Sequence, residues 1–90
     1  MGLIARAAWQ ALGFQVRGAL ASLAARRIAL REAGVSAVDV AHDDESPTLR
    51  LAVHLHVAAG FNAAEVAARA QGAIGRRLPS AVVVVRAVSQ

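Results

Sequence analysis

The feature that most limits how this chain can fold is a strict alternation of apolar and other residues between positions 49 and 57. Successive side chains of a β-strand point to opposite faces, so a strand with this pattern has one apolar face and one outward face. The apolar side must be covered by a second layer, because an exposed row of large aliphatic side chains is unfavourable in water. The apolar set is Leu49, Leu51, Val53, Leu55 and Val57, and the outward set is Arg50, Ala52, His54 and His56.

Two further segments have strand character. In residues 35–41 valines alternate with smaller or polar residues, and residues 81–89 contain four consecutive valines, which favour β-structure. The polar stretch 42–47 predicts a hairpin turn. We therefore predict strands over 35–41, 48–58 and 81–89.

A helix is predicted over residues 62–78. Asn62 is a good N-cap residue, and Glu65 follows it at the capping-box spacing. Pro79 would end the helix, because proline cannot continue the backbone hydrogen-bond ladder. The apolar positions repeat at helical spacing and predict a buried stripe formed by Val66, Ala70, Ala73, Ile74 and Leu78.

The first third of the chain predicts a long amphipathic helix over residues 4–33, ended by Gly34. This segment is rich in arginine and has no acidic residue before Glu32. We expect its larger apolar residues to pack on the sheet, although the same helix could instead lie on an anionic membrane. The stripe comprises Trp9, Leu12, Val16, Ala19, Leu20 and Leu23.

The predicted order is α-β-β-α-β, which indicates one α+β domain spanning residues 1–90. We expect a three-stranded mixed sheet with both helices on one face. The strand order is 1-2-3 if the third strand adds beside the second, and the alternative places the first strand in the middle. Either order leaves the other face, here called the outer face, without helices. It is expected to carry Asp39, Arg50, His54, His56, Val82, Val84, Arg86 and Val88.

The outer face is the predicted interaction surface. Apolar rows beside charged residues on a sheet face are often covered by a second copy of the chain or by a partner protein. Valine also suits strands without any partner, so the pattern alone does not decide between the two interpretations.

Composition narrows the classes of function. All ten cationic residues are arginine, six residues are acidic, and the net charge is +4. The chain has no cysteine, which excludes disulfides, thiolate metal sites and cysteine nucleophiles. It shows no Ser-His-acid order, no convergent carboxylate pair and no phosphate-binding loop, so we predict no enzyme, no catalytic residue and no cofactor. No apolar run reaches the roughly 18–20 residues that cross a bilayer.

Two histidines on one strand are compatible with metal binding. His54 and His56 would lie roughly 7 Å apart on one strand face, a distance that metal ligands can span. A third ligand would have to be Asp39 or His42, and nothing in the spacing requires one. We therefore predict no metal site, and a metal-dependent or small-molecule-binding domain is only a third hypothesis.

RNA binding is the alternative function. Residues 72–75 match the GxxG pattern, and the order of elements resembles that of type II KH nucleic-acid-binding modules. In those modules the motif joins two helices, whereas here Pro79 leaves no room for a second one. A predicted basic surface formed by Arg69, Arg76 and Arg77 would contact the phosphates.

The stretch from Thr48 to Val88 resembles the alkaline-shock family of bacterial envelope-stress-response proteins. The residues that carry the resemblance are strand 49–57, the step Gly60-Phe61-Asn62, the helix start Glu65-Val66-Ala67 and the valine strand 82–85. The resemblance implies a non-enzymatic cytoplasmic protein that self-associates and reaches the membrane through a small membrane-anchor partner. It therefore predicts a protein-interaction module in envelope stress response or homeostasis.

Overall fold

The computed structural model describes residues 3–43 and 48–89, with side chains from Arg17 onward. The elements follow one another in the order α-β-β-α-β, so the predicted α+β class is confirmed. They are α1 Leu3–Leu30, β1 Val35–Asp43, β2 Arg50–Val57, α2 Ala63–Arg77 and β3 Val82–Ser89.

The sheet has the order β1-β2-β3, with β2 in the centre. Strand β1 runs antiparallel to β2, and β3 runs parallel to β2, so the sheet is mixed as predicted. The first of the two strand orders considered from the sequence is therefore the one adopted. Strand β1 continues to Asp43, two residues beyond its predicted end, and residues 44–47 of the predicted turn lie outside the described residues.

Both helices cover the same face of the sheet. Helix α1 lies mainly against β1 and α2 mainly against β3, and the two helices also touch each other. Burial follows the predicted alternation of β2, because every second side chain of that strand is in the core. The core contributed by the strands and α2 consists of Val38, Leu51, Val53, Leu55, Val57, Val66, Ala70 and Ile74.

Helix α1 packs on the sheet through a different side from the one predicted. Ala21, Ala25 and Ala29 are buried, whereas Leu20 and Leu23 are 60% and 55% exposed. Alanines let the helix backbone approach the sheet closely, and a close-packed interface at that distance has no room for leucine. The prediction that the larger residues face the sheet is therefore wrong for this part of the helix. The rest of the predicted stripe comprises Ala19, which is exposed, and Trp9, Leu12 and Val16, which lie outside the described side chains.

The turn between α1 and β1 packs against the turn between β2 and α2, and a hydrogen bond joins the two. Gly34 has a φ of +88°, and the N–H of Ala58 donates to its carbonyl oxygen at 2.8 Å. The ring of Phe61 lies directly against Gly34. Helix α1 ends at Leu30, three residues before its predicted end, and a tight turn leads to Gly34.

The N-cap of α2 is the one predicted. The side-chain Oδ1 of Asn62 accepts a hydrogen bond from the N–H of Glu65 at 3.1 Å. Pro79 follows the C-cap residue Leu78, whose N–H donates to the carbonyl of Ile74 at 2.8 Å.

Replacing Asn62 with alanine is expected to lower the free energy of unfolding by about 1 kcal/mol, because the N–H of Glu65 loses its acceptor at the start of the helix. Urea denaturation followed by circular dichroism measures the change. The control Asn62→Asp keeps an acceptor and should retain most of the stability. Equal stability of Asn62→Ala and the unchanged chain would contradict the assignment of this cap.

Candidate functional site: the outer face of the sheet

Strand register brings the predicted outer-face residues into rows that cross the sheet. In one row Asp39 on β1 pairs with His54 on β2, and His54 pairs with Arg86 on β3. Neither helix covers this face, because both lie on the other side of the sheet. The remaining rows are Asp43–Arg50–Val82, Ala41–Ala52–Val84 and Ala37–His56–Val88.

Valines form an apolar column along β3 on this face. Val82, Val84 and Val88 are 47%, 52% and 56% exposed. Their neighbours in sequence, Val83 and Val85, pack against the core on the opposite side. A column of exposed β-branched residues on an edge strand is a suitable surface for association with another molecule.

Charge is divided between the two edges of the outer face. The acidic residues Asp39 and Asp43 lie on β1, Arg86 lies on β3, and the histidines lie on β2 between them. His56 Nε2 is 3.3 Å from Asp39 Oδ2. An exposed pair of this kind contributes little to stability, so its carboxylate is available to a binding partner.

The structure separates His42 from the other two histidines. His42 Nδ1 is 3.0 Å from Ser22 Oγ of α1, which places this ring on the helix side of the sheet. It therefore does not join His54 and His56 on the outer face. Within residues 3–43 and 48–89, no group of three or more histidine, cysteine or acidic side chains is placed to hold a metal ion.

The predicted basic surface on α2 has two parts. Arg69 donates from Nη2 to the carbonyl oxygen of Ala33 at 3.0 Å, so this side chain links α2 to the α1–β1 turn. Arg76 and Arg77 lie at the C-terminal end of α2, where they line a depression together with Arg31 and Glu32, which directly follow α1.

The GxxG segment does not form a loop. Gly72 and Gly75 both lie within α2, which continues to Arg77. In KH modules this motif clamps the nucleic-acid backbone from a loop, and a helical segment does not present its backbone in that way. The geometry therefore gives the RNA-binding alternative no support at this position.

Sequence reasoning missed one surface, on the side of α1 that faces away from the sheet. Leu20 and Leu23 line a groove of about 520 Å³ together with Arg77 and Leu78 at the end of α2. The sequence did contain a sign of this arrangement, because Ala21, Ala25 and Ala29 also recur at helical spacing and could form the side of α1 that packs on the sheet. The larger residues were assigned to the core because they bury more apolar area.

No family model matches the sequence, and the search of curated proteins gives no match. Solved structures of the MamM C-terminal domain do share the fold. A triple variant of that domain has a TM-score of 0.69 and 17% sequence identity, over 79% of this chain and 93% of the other. A nickel form of another variant has a TM-score of 0.69 and 16% identity, over 79% of this chain and 96% of the other. The likeness is one of fold. The alkaline-shock resemblance is not tested by these matches and stays a prediction.

In the part of the chain that the structure describes, neither helix is long and apolar enough to cross a membrane.

Proposed function

We propose that the protein is a non-enzymatic interaction module that forms a homodimer through its outer sheet face. The observation that carries the proposal is the uncovered column of Val82, Val84 and Val88 beside oppositely charged strand edges. The fold shared with the MamM C-terminal domain supports the interaction-module part of the proposal. A role in bacterial envelope stress, on the cytoplasmic side and with a small membrane-anchor partner, rests on the sequence resemblance alone.

The two edges of the outer face are complementary to each other in charge. Consider a two-fold axis that runs parallel to β2 in front of the outer face. It would place β1 of one copy opposite β3 of the other, and each row would face the same row of the second copy. Asp39 of each copy would then face Arg86 of the other, and this pairing would occur twice. Val84 would face Ala41 and Val88 would face Ala37, whereas in the end row Val82 would face Asp43 and Arg50 would face Arg50 of the other copy. The division of charge between the edges therefore favours this parallel arrangement.

The size of the face predicts a weak dimer. Three strands about 4.8 Å apart, each about eight residues long at roughly 3.3 Å per residue, present a face of roughly 14 by 26 Å. That is roughly 360 Å² per copy, less than half of the roughly 800 Å² per partner in a standard interface, which argues for a dimer that dissociates on dilution. Measurements must therefore cover a range of concentrations.

Reversing a single charge on the outer face is expected to break the dimer. Mixing two variants with complementary reversals is expected to restore it. Asp39→Arg and Arg86→Asp should each be monomeric, because each places like charges opposite one another in both symmetric contacts. An equimolar mixture of the two variants should form a heterodimer. In that heterodimer the two introduced residues face each other with opposite charges, and the unchanged Arg86 faces the unchanged Asp39. Sedimentation equilibrium, with the 9.3 kDa chain mass as reference, measures each state.

The matched control for these variants is Arg26→Asp, which makes the same change of charge on an exposed position of α1. It should leave the dimer intact. The proposal fails if the unchanged chain stays monomeric at the highest concentration reached, or if Asp39→Arg and Arg86→Asp both dimerise like the unchanged chain.

A further inference from the structure

The side of α1 that faces away from the sheet carries a row of exposed leucines. Leu30 is 44% exposed, and Leu20 and Leu23 are exposed more than that. Separations of three and seven residues place all three along one side of the helix. Single exposed leucines are common on proteins, but three in a row on one helix form an apolar strip. We call these three residues the leucine ridge.

Arginines border the leucine ridge, and the one acidic residue beside them in the described part of the chain is Glu32, which follows the end of α1 and lines the depression next to Arg31. Arg17, Arg26, Arg27 and Arg31 are all exposed, and the sequence contains no Asp or Glu before Glu32. None of these four arginines forms a salt bridge with any other residue that the structure describes. Their charge is therefore available to an anionic partner.

The end of α2 widens this surface. Arg77 and Leu78 line the groove beside Leu20 and Leu23, so the pattern of leucine next to arginine continues across both helices. Arg76 lies at the neighbouring depression. Arginines at the C-terminal end of α2 also interact favourably with the helix dipole. Because they lie beside α1, they add to the positive charge on the helix side of the molecule.

We propose that the leucine ridge and its bordering arginines bind the surface of an anionic lipid bilayer. The leucines would enter the boundary between headgroups and acyl chains, and the guanidinium groups would pair with lipid phosphates. The proposal goes beyond the homodimer, because it uses the helix side of the molecule and leaves the outer face free.

Charge argues against a second copy of the chain as the occupant. A second leucine ridge would bring its own arginines against those of the first, and like charges at an interface are strongly unfavourable. An anionic bilayer has the opposite sign and offers many phosphates at once.

Shape favours a bilayer over an acidic protein helix. Such a helix would lie in the groove between α1 and α2. The groove is lined by Leu20, Leu23, Arg27, Arg31 and Arg77 but leaves out Arg17, Arg26 and Leu30. A flat surface can contact the exposed side of α1 from Arg17 to Leu30, which is about 20 Å long. All the leucines and arginines described above are then used.

The test is co-sedimentation of the full chain with vesicles of phosphatidylglycerol or of phosphatidylcholine, at low and at high salt. We expect binding to the anionic vesicles, weakened by salt, and little binding to the neutral ones. The double variant Arg27→Gln with Arg31→Gln should bind about 30-fold more weakly, from roughly fivefold per arginine. The matched control, Arg50→Gln with Arg86→Gln, loses the same charge from the outer face. At protein concentrations low enough for every variant to be monomeric, it should bind as the unchanged chain does.

A second variant tests insertion of the leucines. Leu20→Ser with Leu23→Ser changes only exposed side chains, so circular dichroism should show an unchanged fold while vesicle binding falls about tenfold. The proposal is overturned if this variant binds undiminished, if the outer-face control loses as much binding as the α1 variant, or if the chain binds polyglutamate but not anionic vesicles. The Asp39→Arg variant, which is expected to be monomeric, should still bind vesicles. Its vesicle binding therefore tests the lipid-binding proposal independently of the homodimer proposal.

Discussion

Replacing Gly34 with alanine is expected to lower the free energy of unfolding by about 3 kcal/mol, from backbone strain and steric overlap together. The φ of +88° is unfavourable for any residue with a Cβ. A Cβ at this position would also lie 2.6 Å from two ring atoms of Phe61, too close for a contact between carbons. Chemical denaturation gives the change in stability.

Gly60 supplies a matched control for that experiment. Its φ is +89°, but a Cβ placed there would meet no atom within 4 Å. Gly60→Ala should therefore show only the backbone strain, about 1–2 kcal/mol. Adding Phe61→Ala to Gly34→Ala should recover most of the steric part, because it removes the two ring atoms at 2.6 Å and leaves only the Cβ of residue 61 at 3.0 Å. A double-mutant cycle isolates that part. Equal losses for Gly34→Ala and Gly60→Ala would contradict the close contact with Phe61.

Replacing Ala25 with leucine is expected to lower the free energy of unfolding by about 3 kcal/mol, at the upper end for overpacked cores. Ala25 is completely buried between α1 and the sheet, and neighbouring Ala21 and Ala29 fill the same narrow interface. Three additional carbon atoms would force the helix away from the sheet or push side chains out of their preferred rotamers. Thermal unfolding by circular dichroism measures the loss.

Ala19→Leu is the matched control on the same helix. Ala19 is exposed, so the added side chain meets solvent and stability should change by less than about 0.5 kcal/mol. If Ala25→Leu were tolerated as well as Ala19→Leu, the side of α1 that packs on the sheet would not be the one described.

Sequence pattern predicted the strands and the second helix well because each carries one unambiguous signal. The alternation through Leu51, Val53 and Leu55 assigns both faces of β2, and a register error of one residue would exchange them. Asn62 defines the start of α2 through a specific hydrogen bond. The residues expected on the outer face do share one face of the sheet, the pairing of their strands comes from the structure, and their role in binding stays a prediction.

Helix α1 was harder because it has two apolar sides. One consists of alanines and the other of leucines, and both repeat at helical spacing. Ranking them by buried area favours the leucines, whereas the sheet selects the alanines because they allow close approach. Strand order was also open, since it depends on how β3 docks beside β2 and not on any local pattern.

The one-sided arrangement of the helices has a consequence for any assembly built on it. Two copies joined back to back through their bare sheet faces direct their arginine-bordered ridges in opposite directions. Such a dimer would have a lipid-binding surface at each end and would cross-link separate lipid vesicles, whereas a monomer would bind to only one vesicle.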